Sequence, residues 1–434
     1  LPDETEGTTA VTEATETEPP ATEAEPTEEP TTEATTETVI PTETTIAPTE
    51  ATSATEEPSE ETEATESTYA LMDDSDVIAS GACGADGDNL TWVLTGDGTL
   101  TISGNGEMSH DYNSYPYAPW YKYCRAKILS VVVELGVTCI GPYAFYDCSN
   151  LTSATIPDGV TSIGDNAFDG CGSLTSVTIP EGVTGIGESA FSRCSSLTSV
   201  TIPDSVTSIW ESAFSGCSSL TSVTIPAGVT KIARHAFSGC YSLASILVDD
   251  NNTNYTSVDG VVFDKTCTTL LCYPAGGAIV YQIPEGVTSI GEYAFYCCSS
   301  LTSVTIPESV TSIGEYAFSG CSSLASVIIP EGVTMIRRGT FAYAGLESIT
   351  LPDGLQIIES CYDNYYWGDH FAGAFQGCNK LKNIIIPDSV TRIGDGTFRY
   401  CVSLTSVIVP GSVQSIGCEA FFGCTGLESV ILLE

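Results

Sequence analysis

Cations are scarce in this sequence: 13 Lys+Arg stand against 56 Asp+Glu, the formal net charge is −43, and the first basic residue is Lys122. Nucleic acid is held by releasing counterions to lysine and arginine, so a chain without a basic patch is not expected to bind it. Attraction to anionic lipid is excluded on the same ground. Long apolar runs are missing too. No stretch approaches the roughly 18 residues that a membrane-spanning helix needs, so no membrane insertion is expected. No cationic, apolar leader opens the chain, and "LESVILLE" ends it partway through a repeated unit, as expected of a processed protein or a fragment anchored elsewhere. Histidine is rare: His110, His235 and His370 lie in three different parts of the chain. No G-x-S-x-G elbow, H-E-x-x-H motif or phosphate loop accompanies them. Catalysis needs a nucleophile, base and orienting group brought together. The one carboxylate pair open to a glycosidase reading, Asp363 and Asp369, has nothing to position it. The chain is therefore expected to be non-catalytic, with no cofactor. "DDNNTN" at 249–254 resembles the start of a calcium loop but lacks Gly at its sixth place and Glu at its twelfth, so no metal is assigned.

What is present falls into two materials. Residues 1–68 are Thr, Glu, Pro and Ala without aromatics, as in "TEATETEPPATEAEPTEEPTTEATTET". Such a segment cannot bury enough apolar surface to offset its ordering entropy. Proline and like-charge repulsion extend it, at about 3.1 Å per residue where polyproline-like. It reads as a disordered stalk. Residues 69–135 read as a small β-rich module, and 136–434 as a repeat array.

The array is aligned on Phe145, Phe168, Phe191, Phe214, Phe237, Phe295, Phe318, Phe341, Phe375, Phe398 and Phe421, eleven copies mostly 23 residues apart. A fixed period in that range is the signature of a solenoid. Each unit reads L-x-x-V-x-I-P-x-x-V-T-x-I-G-x-x-A-F-x-x-C. In "LTSVTIP", Leu197, Val200 and Ile202 alternate with Ser199 and Thr201, which makes a short strand. Pro203 lacks an amide hydrogen and ends it. "VTSI" is a second short extended piece, and "ESAFSGC" is expected to be one helical turn with Ala213, Phe214 and Cys217 inward. One copy cannot close a core; stacked copies share one. Ten copies keep a cysteine, from Cys148 to Cys424, and the copy of Phe341 has Ala344 instead. Equivalent side chains on stacked strands stand about 4.8 Å apart and parallel, whereas a disulfide wants Cβ atoms nearer about 3.8 Å and facing. A column of buried thiols follows. Off the register, Cys83 with Cys124 and Cys267 with Cys272 are disulfide candidates.

"LTSVTIPDSVTSI" followed by the "AF…C…SL" frame resembles the BspA-like class of leucine-rich repeat proteins, over about residues 136–434, and "SGACG…LTWVLTGDGTLTISGNGEM…APWY" resembles the small module often placed before such repeats. The resemblance implies a leucine-rich-repeat solenoid: a right-handed array with a parallel β-sheet on its concave face and short helical turns or loops on the other. It also implies a bacterial cell-surface or secreted location and a role in adhesion, with an extracellular host-matrix or cell-surface protein as partner. A glycan-binding or wall-associated spacer is the alternative.

Candidate contact residues lie where the period breaks. Insertions fall near 247–282 and 355–371. The second carries Tyr362, Tyr365, Tyr366, Trp367 and His370, residue types suited to an interface anchor, or else to covering the gap beside an irregular copy. Trp210 replaces the usual glycine after the second strand, with Lys231, Arg234 and His235 one copy away. It is either a contact residue or packing over its neighbour. Outward strand positions are Ser176, Ser199, Ser222, Ser303, Thr178, Thr201, Thr224 and Thr305, turning apolar at Ile328, Ile385 and Ile408.

Overall fold

The structure is a computed structural model that describes residues 76–109, 118–359 and 372–434; residues 1–68 lie outside them. Three antiparallel strands, Val77–Gly84, Gly87–Thr95 and Thr99–Gly104, open the described chain, and Thr99–Gly104 then pairs in parallel with Ser130–Val133. From there each copy places one short strand in a first parallel ladder and a shorter one in a second. Ser176–Thr178 pairs in register with Ser199–Thr201, and Gly185–Ile186 with Ser208–Ile209. The second ladder holds thirteen strands among the described residues, so the chain makes thirteen turns. The pairing offset of 23 residues puts like residues on like residues, as the period requires.

Inside, the repeated Val, Ile, Leu and Phe are buried in most copies, while in the last one Val413 and Phe421 are half-buried and Ile416 is exposed. Trp120, Phe145, Phe168, Phe191, Phe214 and Phe237 form one column of rings, with centroids 4.9–5.8 Å apart. Tyr273, Phe295, Phe318, Phe341, Phe375, Phe398 and Phe421 form another at 4.8–5.6 Å. The 34-residue step from Phe341 to Phe375 leaves the column unbroken at 5.6 Å.

The third side of each turn is not helical. Among the described residues after Asp76, Tyr121–Cys124 is the only α-helix and Arg125–Lys127 the only 3-10 turn. The reason lies in the backbone on either side of each phenylalanine. In the copy of Phe191, Ser189 and Arg193 take φ of 53° and 57°, and their equivalents Ser212 and Gly216 take 56° and 73°. A right-handed helix cannot run through such residues. Alternate amides instead point to the next copy: Ser189, Phe191 and Arg193 donate to the carbonyls of Glu211, Ala213 and Ser215 at 2.7–2.8 Å. The amides between them, of Ala190, Ser192 and Cys194, close local turns onto Gly187, Ser189 and Phe191. Turns in the regular copies are thus stitched to their neighbours on all three sides.

The cysteine column consists of thiols, buried except at the half-buried Cys424. Eight of its ten members share a partner that spacing alone does not reveal. Cys171 Sγ donates to the Phe145 carbonyl at 3.1 Å, and Cys194, Cys217, Cys240, Cys321, Cys378, Cys401 and Cys424 repeat the bond at 3.0–3.2 Å. The expected Cys267–Cys272 bridge does not form: Cys267 is exposed on a turn at φ 55°, while Cys272 packs against the core. The Cys124 side chain lies outside the description.

Candidate binding site

Two surfaces stand out once the repeat is accounted for. The first is the outward face of the first ladder. Ser176, Ser199, Ser222 and Ser303, with Thr178, Thr201, Thr224 and Thr305, are exposed, and their hydroxyls make no hydrogen bond within the described residues. Toward the C-terminus this face turns apolar. Ile385, Ile408 and Ile431 stand in register on three consecutive strands and are 82%, 47% and 47% exposed, and Ile328 is exposed two strands before them. Solvent-facing isoleucines in an unbroken row are unusual on a soluble face, where single apolar residues are the norm.

The second surface is a cavity of about 320 Å³ at the 247–282 insertion, and its origin can be traced along the chain. Regular copies take a step of five residues from the second-strand isoleucine to the phenylalanine, as from Ile232 to Phe237 and from Ile290 to Phe295. The irregular copy pairs Leu270 with Ile290 in the second ladder, and Tyr273 takes the phenylalanine place, donating its amide to Ala294 at 2.8 Å and stacking on Phe295 at 4.9 Å. Its step from Leu270 to Tyr273 is three residues. The insertion is long, yet the loop it offers to the column is two residues short, and a hole remains.

The consequences fall on the copy above. Phenylalanine amides in the column donate to the next copy at 2.7–2.9 Å, but Phe237, which lines the cavity, finds no acceptor. No ring contact joins Phe237 to Tyr273, and the buried core divides here into two clusters. The floor is held firmly. His235 lies 3.9 Å from Tyr293 and 4.6 Å from Tyr296, ring to ring, and Tyr293 is backed by Tyr316 at 5.1 Å, interplanar 2°. His235 Nδ1 meets Ser238 Oγ at 3.2 Å. Burial pushes the Tyr296 phenol and the Cys272 thiol up to about 12, so both stay neutral at physiological pH. Tyr255 closes one wall, its hydroxyl donating to the Thr230 carbonyl and accepting from the Ile232 amide, both at 3.2 Å. Asn252 pins the insertion, fully buried, with its amide nitrogen donating to the Pro226 and Val229 carbonyls and its oxygen accepting from the Asn254 and Tyr255 amides, all at 2.9 Å. "DDNNTN" is thus a structural turn.

Of the residues singled out in the sequence, Arg234 and His235 line this cavity. Trp210 lies on the rim of the neighbouring copy, 46% exposed, with Lys231 Nζ 3.7 Å from its ring centroid. Its indole nitrogen comes within 3.8 Å of the place a side chain at Gly185 would take. It therefore packs over its neighbours and still shows a free face. Tyr362, Tyr365, Tyr366, Trp367 and His370 lie outside the described residues, as do Asp363, Asp369 and His110. The cavity itself was not foreseen, although the short step before Tyr273 was there to be counted.

Comparison with known proteins places this geometry. The family profile described as BspA type leucine rich repeat region matches residues 121–268, 280–366 and 372–434. A leucine-rich repeat protein from Eubacterium ventriosum is 29% identical over 80% of this chain and 95% of its own, with a TM-score of 0.61. A leucine rich cell surface protein from Faecalibacterium prausnitzii is 32% identical over 83% of this chain and 96% of its own, at 0.53. The pneumococcal vaccine antigen PcpA, 20% identical over 80% and 98%, shares the fold at 0.58. No curated protein matches the sequence. With stacked turns, a phenylalanine column and a family match over most of its length, this chain belongs to the BspA-type leucine-rich repeat proteins.

Proposed function

We propose that this chain works outside the cell as a non-catalytic adhesion module that holds a protein partner against the outward face of its first ladder. The observation that carries the reading is the in-register row Ile385, Ile408 and Ile431, exposed beside a field of hydroxyls with no internal partner. Extended repeat surfaces bind by presenting many aligned contacts at once, and an apolar row is where water is most readily displaced. A cell-surface location is supported by the similarity to the Faecalibacterium prausnitzii cell surface protein. Residues 1–68 then serve as a spacer of roughly 200 Å when extended at about 3.1 Å per residue, and Tyr362, Tyr365, Tyr366, Trp367 and His370 act as a second contact patch.

The test is capture of cultured host cells by beads coated with the full chain. Combining Ile385→Ser with Ile408→Ser should abolish most capture, and Trp367→Ala should weaken it. The double isoleucine variant should keep its thermal midpoint within a few degrees, since exposed substitutions move stability by about 0.5 kcal/mol or less. Undiminished capture by the double isoleucine variant refutes the strand-face reading. Capture abolished by free sugar identifies the ligand as a glycan instead.

A further inference from the structure

We infer that the cavity at the 247–282 insertion is a binding site for a small aromatic monocarboxylate. The ring is indicated by what the column lacks. On either side, plates succeed one another at about 5.5 Å, with Phe214–Phe237 at 5.6 Å and Tyr273–Phe295 at 4.9 Å, whereas Phe237 and Tyr273 make no contact. The space beside them, about 320 Å³, is bounded by His235, Tyr293 and Tyr296, whose rings are already held against one another. That volume falls at the small end of ligand sites, and walls that are largely apolar with a few fixed polar groups are their usual make-up. A flat ring fits an aromatic-walled slot better than an alkyl chain does, through offset or edge-on contacts.

The carboxylate is indicated by two donors that the fold leaves over. Arg125, Arg193, Arg337, Arg338 and Arg399 each pair with a carboxylate of an adjacent copy. Arg234, on the cavity lining and exposed, makes no ion pair and no side-chain hydrogen bond within the described residues. In a chain of net charge −43 an unneutralised guanidinium is conspicuous. The second donor is the Phe237 amide, whose equivalents all bond to the next copy except at the last one, Phe421. A guanidinium and a backbone amide are a common pair for a carboxylate, and hydrogen bonds to a charged group are the stronger kind. Glu292, also on the lining and exposed, opposes a second negative charge, which restricts the ligand to one carboxylate.

The experiment is isothermal titration of the full chain with indole-3-acetate, indole and acetate. Indole-3-acetate should bind with a sub-millimolar constant, and indole and acetate at least about tenfold more weakly, the size of one charge-assisted contact. Arg234→Ala should cost indole-3-acetate about tenfold while leaving the weak binding of indole unchanged. Tyr296→Ala should weaken both ring-bearing probes, with its thermal midpoint measured alongside. No binding of indole-3-acetate, indole binding as tightly as the acid, or an Arg234→Ala variant with wild-type affinity would each overturn the assignment.

Discussion

Asn252 is the residue on which the irregular copy depends. It is the kind of residue that composition passes over, one asparagine among several in a polar run, yet it is fully buried with four hydrogen bonds of 2.9 Å. Two reach back to carbonyls of the previous copy and two hold the start of the next strand. Replacing it by alanine takes this partner from the Val229 carbonyl and from the Asn254 and Tyr255 amides in a closed site, while the Pro226 carbonyl keeps the Val229 amide. At about 1–3 kcal/mol for each buried group left unsatisfied, and allowing for relaxation, Asn252→Ala should cost about 3 kcal/mol. A urea titration followed by circular dichroism checks this, and a loss below about 1 kcal/mol would show that water replaces the amide. The thiol ladder is the gentler case at this scale. Cys194 fills a slot in the core and also donates to Phe168. Sequence periodicity placed the first property and was silent on the second, because a sulfur–oxygen bond between copies requires the height of the stack as well as its order.

At the scale of the element, the loop that carries each phenylalanine is the instructive part. Its sequence, small residues around "AF", suits a helical turn, and that was the expectation. The chain instead inserts a left-handed residue two places before and two places after the phenylalanine. The later place is legible, since Gly170, Gly216, Gly239, Gly320, Gly377 and Gly423 occupy it with φ of 70–79°. The earlier place is not. Asn166, Ser189, Ser212, His235, Tyr293, Tyr316 and Glu419 share nothing chemically, yet all stand at φ 53–59°. In most copies that conformation turns alternate amides toward the carbonyls of the next copy, and single-copy propensity carries no trace of it. The strands and the inward column, by contrast, are written in alternation and period and were read directly. Position 212 supplies the measurement. A β-branched residue is poorly tolerated in the left-handed region, which already costs an ordinary residue about 1–2 kcal/mol. Ser212→Val should therefore lower the thermal midpoint, while Ser212→Gly, free of the steric penalty, should hold or raise it. Equal midpoints for the two variants would mean that the turn adjusts its backbone and that the stitching between copies is not what fixes it.

The described repeats form a stack of turns with most of the column thiols buried inside, and that makes the response to alkali a property of the stack. Burial pushes Cys148 and Cys401 up to about 12 and raises Cys171, Cys298 and Cys378 well above the ordinary thiol value of 9. Tyr281 and Tyr296 are likewise pushed up to about 12 by burial. Below pH 9 these groups are protonated in both folded and unfolded chains and do not affect the balance. Above it the unfolded chain releases protons that the folded chain still holds, so stability falls with rising pH, by about 1.4 kcal/mol per pH unit for each group, until the folded values are reached near 12. Because equivalent thiols recur in copy after copy on both sides of the 247–282 seam, the losses accumulate, and neither half is spared. The urea midpoint should stay level from neutral pH to about 8.5 and then drop steeply, with a proton dependence well above one. Replacing both Cys148 and Cys401 by alanine should make that drop shallower while lowering the plateau, because the same side chains that fill the core are the ones that alkali would charge. A midpoint still level at about pH 10.5 would mean that the unfolded chain shields its thiols as well as the folded one does, and the sealed column would then have no part in the response.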